Sequence, residues 1–266
     1  MKLGLVIVLI GPLVITTLLA QNARPISIEQ DKFFEREGRK YLYGGKDSSW
    51  HFDISGYILK DEQFHYGVGR ERFPALLRPN FITLEQASDL WQDDDRFLLL
   101  NMEQDVRAYS IKDLMRHEVV NDVVDGKPIM AAYCVLADLG AIYDRTFADS
   151  VFTFALSGYT YYDLDVWDGM DGFVMWDRET ESLWWPLIGQ AVSGPMLGTK
   201  MKVLEESRWS QTTWKHIRNN YPNAKILESG QDFERPTSWK RYDFEAVQAD
   251  SGSWIAPRWG KNSTIN

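Results

Sequence analysis

The chain has 266 residues, with 29 Lys and Arg, 38 Asp and Glu, a formal net charge of −9 and a single cysteine. Its 44% hydrophobic and 25% charged residues are typical of a globular protein and exclude a disordered chain, a collagen-like repeat and a disulfide framework. The acidic balance argues against a nucleic-acid partner, because such proteins need a basic face. The 11 Trp, 12 Tyr and 13 Phe favour either a densely packed core or an aromatic surface that binds a ligand.

The N-terminus has the pattern of an export segment. Lys2 is followed by an uncharged, largely apolar run over 3–20, and Ala20 and Ala23 are small residues at which cleavage would occur. The run is also just long enough for a membrane-spanning helix, so membrane attachment through residues 3–20 is the alternative. We therefore predict a signal peptide or N-terminal membrane anchor over 1–23. The remaining residues, 24–266, are expected to form a single globular domain outside the cytoplasm, either periplasmic or secreted.

The first part of that domain is expected to wrap around a core formed by later residues. The segment 24–80 is polar, rich in turn residues, and contains only short strand candidates such as 52–58. Thr83 followed three residues later by Gln86 is a capping-box pattern, which predicts a short helix ending at 90 or 91.

A β core is predicted over the middle of the chain. Two apolar runs, 96–102 and 106–110, predict a hairpin, and Ser110 then caps one helical turn that ends at Met115. Short apolar segments at close spacing predict an antiparallel sheet. These strands are predicted over 118–124, 129–135, 141–144, 151–157, 173–176 and 183–185.

A second helix, 213–220, is expected to end before Pro222, since proline cannot continue a helix. The segment 228–266 is again rich in loops. The predicted fold class is α+β, with a mainly antiparallel β-sheet core and a few short helices.

The pair Asp125-Gly126 sets the register of the central hairpin. Asp-Gly between apolar runs predicts a two-residue type I′ turn, so Val124 faces Lys127. Pro128 then occupies a non-hydrogen-bonded position, where its missing N–H costs no bond within the hairpin.

Extending this register outward places His117 directly opposite Cys134. Side chains in such a pair are close enough to share one metal ion or one proton. A buried core thiol beside a hydrogen-bonded histidine is the alternative.

Two other patterns carry less specific signals. Four carboxylates in one loop, those of Asp163, Asp165, Asp168 and Asp171, suit either a calcium site or a solvated acidic loop, although the spacing is not that of an EF-hand. The run 117–121 (HEVVN) resembles the zinc-protease motif but lacks the second histidine and is predicted to be a strand, so we discard it.

Several motifs in this order resemble the uncharacterised prokaryotic family catalogued as domain of unknown function 3179. They are 116–122 (RHEVVND), 133–134 (YC), 144–145 (DR), 157–158 (SG), 176–184 (WDRETESLW), 194–198 (GPMLG) and 212–214 (TTW). The resemblance spans about 74–227. It implies no reaction, because the family has no established activity.

One departure from the family affects the expected chemistry. Its members carry a C-x-x-C pair, whereas this chain has Ala137 three residues after Cys134. A lone cysteine cannot resolve a mixed disulfide within its own chain, which excludes dithiol exchange. With Asp138 as a harder substitute ligand, we predict a metal site of Cys134, His117 and Asp138 for copper or zinc, whereas calcium, the less favoured ion, would belong to the acidic loop.

The sequence thus favours an exported metal-binding or redox-accessory domain. The alternatives are a non-catalytic, aromatic-rich module that binds a protein partner or a small ligand, and a degenerate structural domain of an envelope complex. We identify no catalytic constellation.

Overall fold

The computed structural model describes residues 29–30, 33–147, 149–166 and 171–228. The first ten strands are β1 (Glu29–Gln30), β2 (Phe33–Arg36), β3 (Arg39–Leu42), β4 (Phe52–Asp53), β5 (Phe64–Tyr66), β6 (Phe81–Thr83), β7 (Arg96–Asn101), β8 (Val106–Ser110), β9 (Val119–Val124) and β10 (Lys127–Cys134). The next ten are β11 (Leu139–Asp144), β12 (Thr146–Phe147), β13 (Ser150–Val151), β14 (Phe154–Tyr161), β15 (Gly172–Asp177), β16 (Leu183–Trp185), β17 (Gln190–Ala191), β18 (Lys202–Val203), β19 (Trp209–Thr213) and β20 (Lys225–Leu227). The helices are α1 (Ile111–His117) and α2 (Trp214–Asn220), with 3₁₀ turns at Ser48–Trp50 and Asp61–Gln63. The predicted fold class is confirmed.

Within the described residues, the strands form three larger sheets and two small ones. The six-stranded sheet has the order β1-β5-β14-β15-β16-β17, the four-stranded sheet β18-β11-β10-β9, and the five-stranded sheet β19-β7-β8-β20-β6. Neighbouring strands are antiparallel, apart from the parallel pair β8–β20. The predicted hairpin over 96–110 is confirmed as β7–β8.

The four-stranded sheet lies at the centre because both of its faces are buried. Along β10, Met130, Ala132 and Cys134 join the cluster that contains the core of the six-stranded sheet. The alternate residues Ile129, Ala131 and Tyr133 join a second cluster with β7. This period of two follows from strand geometry, in which successive side chains point to opposite faces.

Helix α1 agrees with prediction at its start and extends further at its end. The hydroxyl of Ser110 accepts a hydrogen bond from the Asp113 amide at 3.0 Å, as an N-cap does. The helix continues past Met115 to His117, and Glu118 ends it with a left-handed backbone at φ 54°. Helix α2 begins after Thr213, as predicted.

The helix predicted after Thr83 does not form. Thr83 ends strand β6, and the segment behind it consists of turns, although the reciprocal Thr83–Gln86 capping bonds are present. Ala87 is the only fully buried residue over 84–90, so little of the segment packs into the core, and capping alone does not sustain a helix.

The tryptophans of the central motifs belong to the core. Trp176, Trp184 and Trp185 are at most 1% exposed, whereas Trp167 lies outside the described residues. The segment over 33–66 also contributes to this core, with Phe52 and Phe64 buried, rather than only wrapping around it. These burials give the aromatic-surface hypothesis no support.

No helix in the described part of the chain is long and apolar enough to cross a membrane. The predicted signal or anchor, residues 1–23, lies outside the described residues.

Candidate ligand-binding site at Glu118

The predicted hairpin register is confirmed up to Val119. Asp125 and Gly126 form the turn with φ of 50° and 73°, and Val124 pairs with Lys127. The further prediction that His117 faces Cys134 is wrong. Strand β9 begins at Val119, because the helix capped by Ser110 carries the chain away from the sheet before that point.

The other two predicted metal ligands are engaged elsewhere. His117 Nδ1 lies 2.7 Å from the Pro74 carbonyl oxygen, so this nitrogen carries the proton. Burial lowers the pKa of His117. The Asp138 carboxylate accepts hydrogen bonds from Arg96 and from the Tyr133 hydroxyl. Although burial opposes it, these bonds lower the pKa of Asp138.

Cys134 lies in a closed apolar environment. Its side chain is 1% exposed, and its Sγ accepts a hydrogen bond from the Phe173 amide at 3.4 Å. Burial, with the nearby Glu118 carboxyl, raises the pKa of the thiol to about 12. The thiolate that a metal or an electrophile requires is therefore disfavoured at neutral pH.

No three His, Cys, Asp and Glu side chains are grouped closely enough for a metal ion among the described residues. The set of Cys134, His117 and Asp138, with copper or zinc, therefore stays a prediction of the sequence.

The carboxylates of the acidic loop that the structure describes also have separate partners. The side chain of Asp163 accepts the Asp165 amide, and Asp168 lies outside the described residues. Asp171 is buried, where its Oδ2 lies 2.5 Å from both His65 Nδ1 and the Thr160 hydroxyl. Calcium binding by this loop also stays a prediction.

Most polar side chains of the family motifs serve the fold. The amide of Asn121 bonds to the backbone N–H and C=O of Phe154 and so joins the central sheet to the six-stranded one. Asp122 accepts the Tyr109 hydroxyl. The guanidinium of Arg145 donates to three backbone carbonyls.

Ion pairs join the motif over 176–184 to the segment that begins at Arg70. Arg178 forms a two-pronged ion pair with Glu71, and Arg70 pairs with Glu181 while it lies 3.6 Å from the ring centroid of Trp176. Arg178 and Glu181 of the motif therefore have a structural role, which is to hold this segment against the six-stranded sheet.

Glu118 is the exception. The residue is 7% exposed, and among the described residues no hydrogen bond or charge contributes to the pKa of its carboxyl. Burial alone raises the pKa of Glu118 to about 8. An ionisable group in such a state, inside a cavity, is a candidate functional group. The sequence reasoning passed over it when the 117–121 run was discarded.

Glu118 lines a cavity of about 60 Å³. The wall comes from the end of α1, the turn after β10, strands β14 and β15, and the loop after β5. Its members are Gly67, Val68, Phe73, Met115, Glu118, Val135, Leu136, Leu156, Gly158, Tyr159, Thr160, Phe173 and Val174.

A β-bulge in β14 shapes one side of this wall. The register between β14 and β15 shifts between Leu156 and Tyr159, and Gly158 has a φ of 77°. The carbonyl of Gly158 accepts the amides of Gly67 and Val68. A Cβ at Gly158 would lie 2.0 Å from the Gly69 carbonyl oxygen, so only glycine permits this approach.

A buried glutamate in the wall of an apolar cavity, with no hydrogen-bond partner for its carboxyl among the described residues, defines a candidate small-ligand site. The family model described as "protein of unknown function (DUF3179)" matches residues 70–261, and the chain belongs to this family. Comparison with curated proteins and with solved structures found no match.

Proposed function

We propose that this domain is a binding module that holds a small, largely apolar molecule in the cavity at Glu118. The observation that carries the proposal is the buried Glu118 carboxyl, which has no hydrogen-bond or ion-pair partner among the described residues. Burial disfavours the charged form of this carboxyl, as its raised pKa indicates. A ligand that donates hydrogen bonds to the carboxyl would stabilise that charged form.

The apolar wall supports the same proposal. Small-molecule sites are concave and mostly apolar, with a few polar groups that orient the ligand. Here Val135, Leu136 and Leu156 provide apolar surface, and Glu118 provides the orienting group.

The test is an NMR titration with three four-carbon probes that differ in charge: n-butylammonium, 1-butanol and butyrate. The methyl of Met115, which lines the cavity, is the reporter, and that of Met102, which contacts Arg208 elsewhere, is the internal control. We expect a saturable shift of the Met115 methyl with at least one probe.

Filling the cavity provides the matched control. Val135→Phe adds a ring to the half-buried wall and should abolish the shift, whereas Val203→Phe, on exposed strand β18, should leave it unchanged. If no probe shifts the Met115 methyl, or if Val135→Phe leaves the shift intact, the proposal is wrong.

We also propose that the domain works outside the cytoplasm, either as a periplasmic or secreted protein or anchored through residues 3–20. The uncharged run over 3–20 supports this location. A fusion of residues 1–30 to a phosphatase that is active only after export tests it, and a Leu13→Arg variant in the middle of the run should abolish the activity. An inactive wild-type fusion would contradict the location.

A further inference from the structure

The cavity wall contains no positive charge to balance Glu118. Among the described residues that line it, none is a Lys, an Arg or a His. An ionised Glu118 therefore lacks a counter-charge within the described wall, and a cationic ligand would supply one.

Four hydrogen-bond donors of the wall are already engaged. The hydroxyl of Thr160 donates to Asp171, and that of Tyr159 donates to the Tyr43 carbonyl. The amides of Gly67 and Val68 both donate to the Gly158 carbonyl. Once Glu118 is ionised, a ligand that brings acceptors alone meets no open donor in these groups, whereas a ligand that brings donors meets both carboxylate oxygens of Glu118.

Aromatic side chains form another part of the wall. Phe73, Tyr159 and Phe173 line the cavity together with Glu118. Aromatic rings attract cations through their quadrupole, and hydrogen bonds to a charged partner are roughly twice as strong as neutral ones.

From this arrangement we infer that the ligand is a small primary ammonium ion whose N–H groups donate to the Glu118 carboxylate and whose short alkyl chain lies against the apolar wall. The inference rests on the proposed function and specifies its ligand class. A water molecule needs about 10–15 Å³ of such volume, so a cavity of about 60 Å³ holds roughly four or five non-hydrogen atoms. This size suits an alkyl chain of about four carbons.

The three probes separate charge from shape, because they have nearly the same length. The titration is run at about pH 9, where Glu118 is ionised and an alkylammonium, like a lysine side chain, still keeps its proton. We expect n-butylammonium to bind on the order of tenfold or more tightly than 1-butanol, and butyrate not to bind. Glu118→Gln keeps the shape of the side chain and removes its charge, and it should reduce the preference for the ammonium to less than about threefold. Glu85→Gln, at an exposed glutamate, should leave the preference unchanged.

The outcomes distinguish the two proposals. If 1-butanol or butyrate binds as tightly as n-butylammonium, the cavity is a binding site and the inferred ligand class is wrong. If the ammonium preference persists in Glu118→Gln, the inference also fails, because the carboxylate does not produce the preference. If none of the probes binds, both proposals fail.

Discussion

At the scale of single residues, Glu118 combines three unusual properties. It has a left-handed backbone, a buried carboxyl and a pKa raised by burial to about 8. The folded protein therefore binds a proton at a pH where the unfolded chain, with an ordinary pKa of 4.5, has lost it. Stability from this group is fully present below the unfolded pKa and is lost as the pH rises toward the folded pKa.

The first prediction concerns this pH dependence. The wild type should lose stability between pH 5 and pH 8 as Glu118 is forced to ionise, whereas Glu118→Gln has no proton to lose at this position. The free energy of unfolding of Glu118→Gln, relative to that of the wild type, should therefore be about 2–4 kcal/mol higher at pH 8 than at pH 5, since one pKa unit corresponds to about 1.4 kcal/mol. Urea unfolding at both pH values measures it, with Glu85→Gln as the control. Equal pH dependence of the wild type and Glu118→Gln would show that the carboxyl is not buried in the way described.

Cys134 provides a second prediction at this scale. Because the thiol is buried and its pKa is raised, we expect the purified protein and Cys134→Ala to contain the same amount of copper and zinc. Elemental analysis after dialysis measures both. A metal ion present in the wild type and lost in Cys134→Ala would instead support the predicted site of Cys134, His117 and Asp138.

At the scale of elements, the 176–184 motif and the segment after β5 are joined by buried charges. The carboxylate of Glu71 is 6% exposed and faces the guanidinium of Arg178 at 2.6 Å. Removing one member of a buried ion pair leaves the other charge without compensation in an apolar environment. An exposed pair such as Arg218–Asp93 is screened by water and contributes little.

We therefore predict that Arg178→Ala lowers the free energy of unfolding by about 3–5 kcal/mol, whereas Arg218→Ala lowers it by less than about 1 kcal/mol. Chemical denaturation measures both variants. The double variant Glu71→Gln/Arg178→Met should recover much of the loss, since it removes both charges. Equal effects of the two single variants would mean that the Glu71–Arg178 pair is hydrated.

The β14 bulge allows a similar comparison between two glycines. Gly158 and Gly126 have nearly the same φ, 77° and 73°, but only Gly158 is crowded by neighbouring backbone. Gly126→Ala should cost about 1 kcal/mol for the strained φ alone. Gly158→Ala should cost several times more, because the backbone of Gly69 must move, and it should weaken probe binding at Met115. Thermal unfolding and the NMR titration measure these effects, and equal costs would contradict the close approach.

At the scale of the whole molecule, the six-stranded and five-stranded sheets pack on the two faces of β9–β11, so that Cys134 and Glu118 come to lie beside strands far away in sequence. The Phe173 amide that bonds Cys134 is 39 residues away along the chain. The cavity walls come from segments between Gly67 and Val174, and no local pattern encodes that meeting. This is why sequence reasoning identified the neighbourhood of the site and missed its central residue.

Local chemistry accounts for what the sequence determined. Asp125-Gly126 imposes the hairpin register because its two positive φ angles admit few alternatives, and Ser110 caps α1 because its hydroxyl satisfies a helix amide nearby. Tertiary packing decided the rest. It stopped β9 at Val119, left the segment after Thr83 without a helix, and enclosed Glu118 in an apolar cavity. Burial depends on which distant strands cover a residue, and that is a property of the assembled sheets rather than of neighbouring residues in the chain.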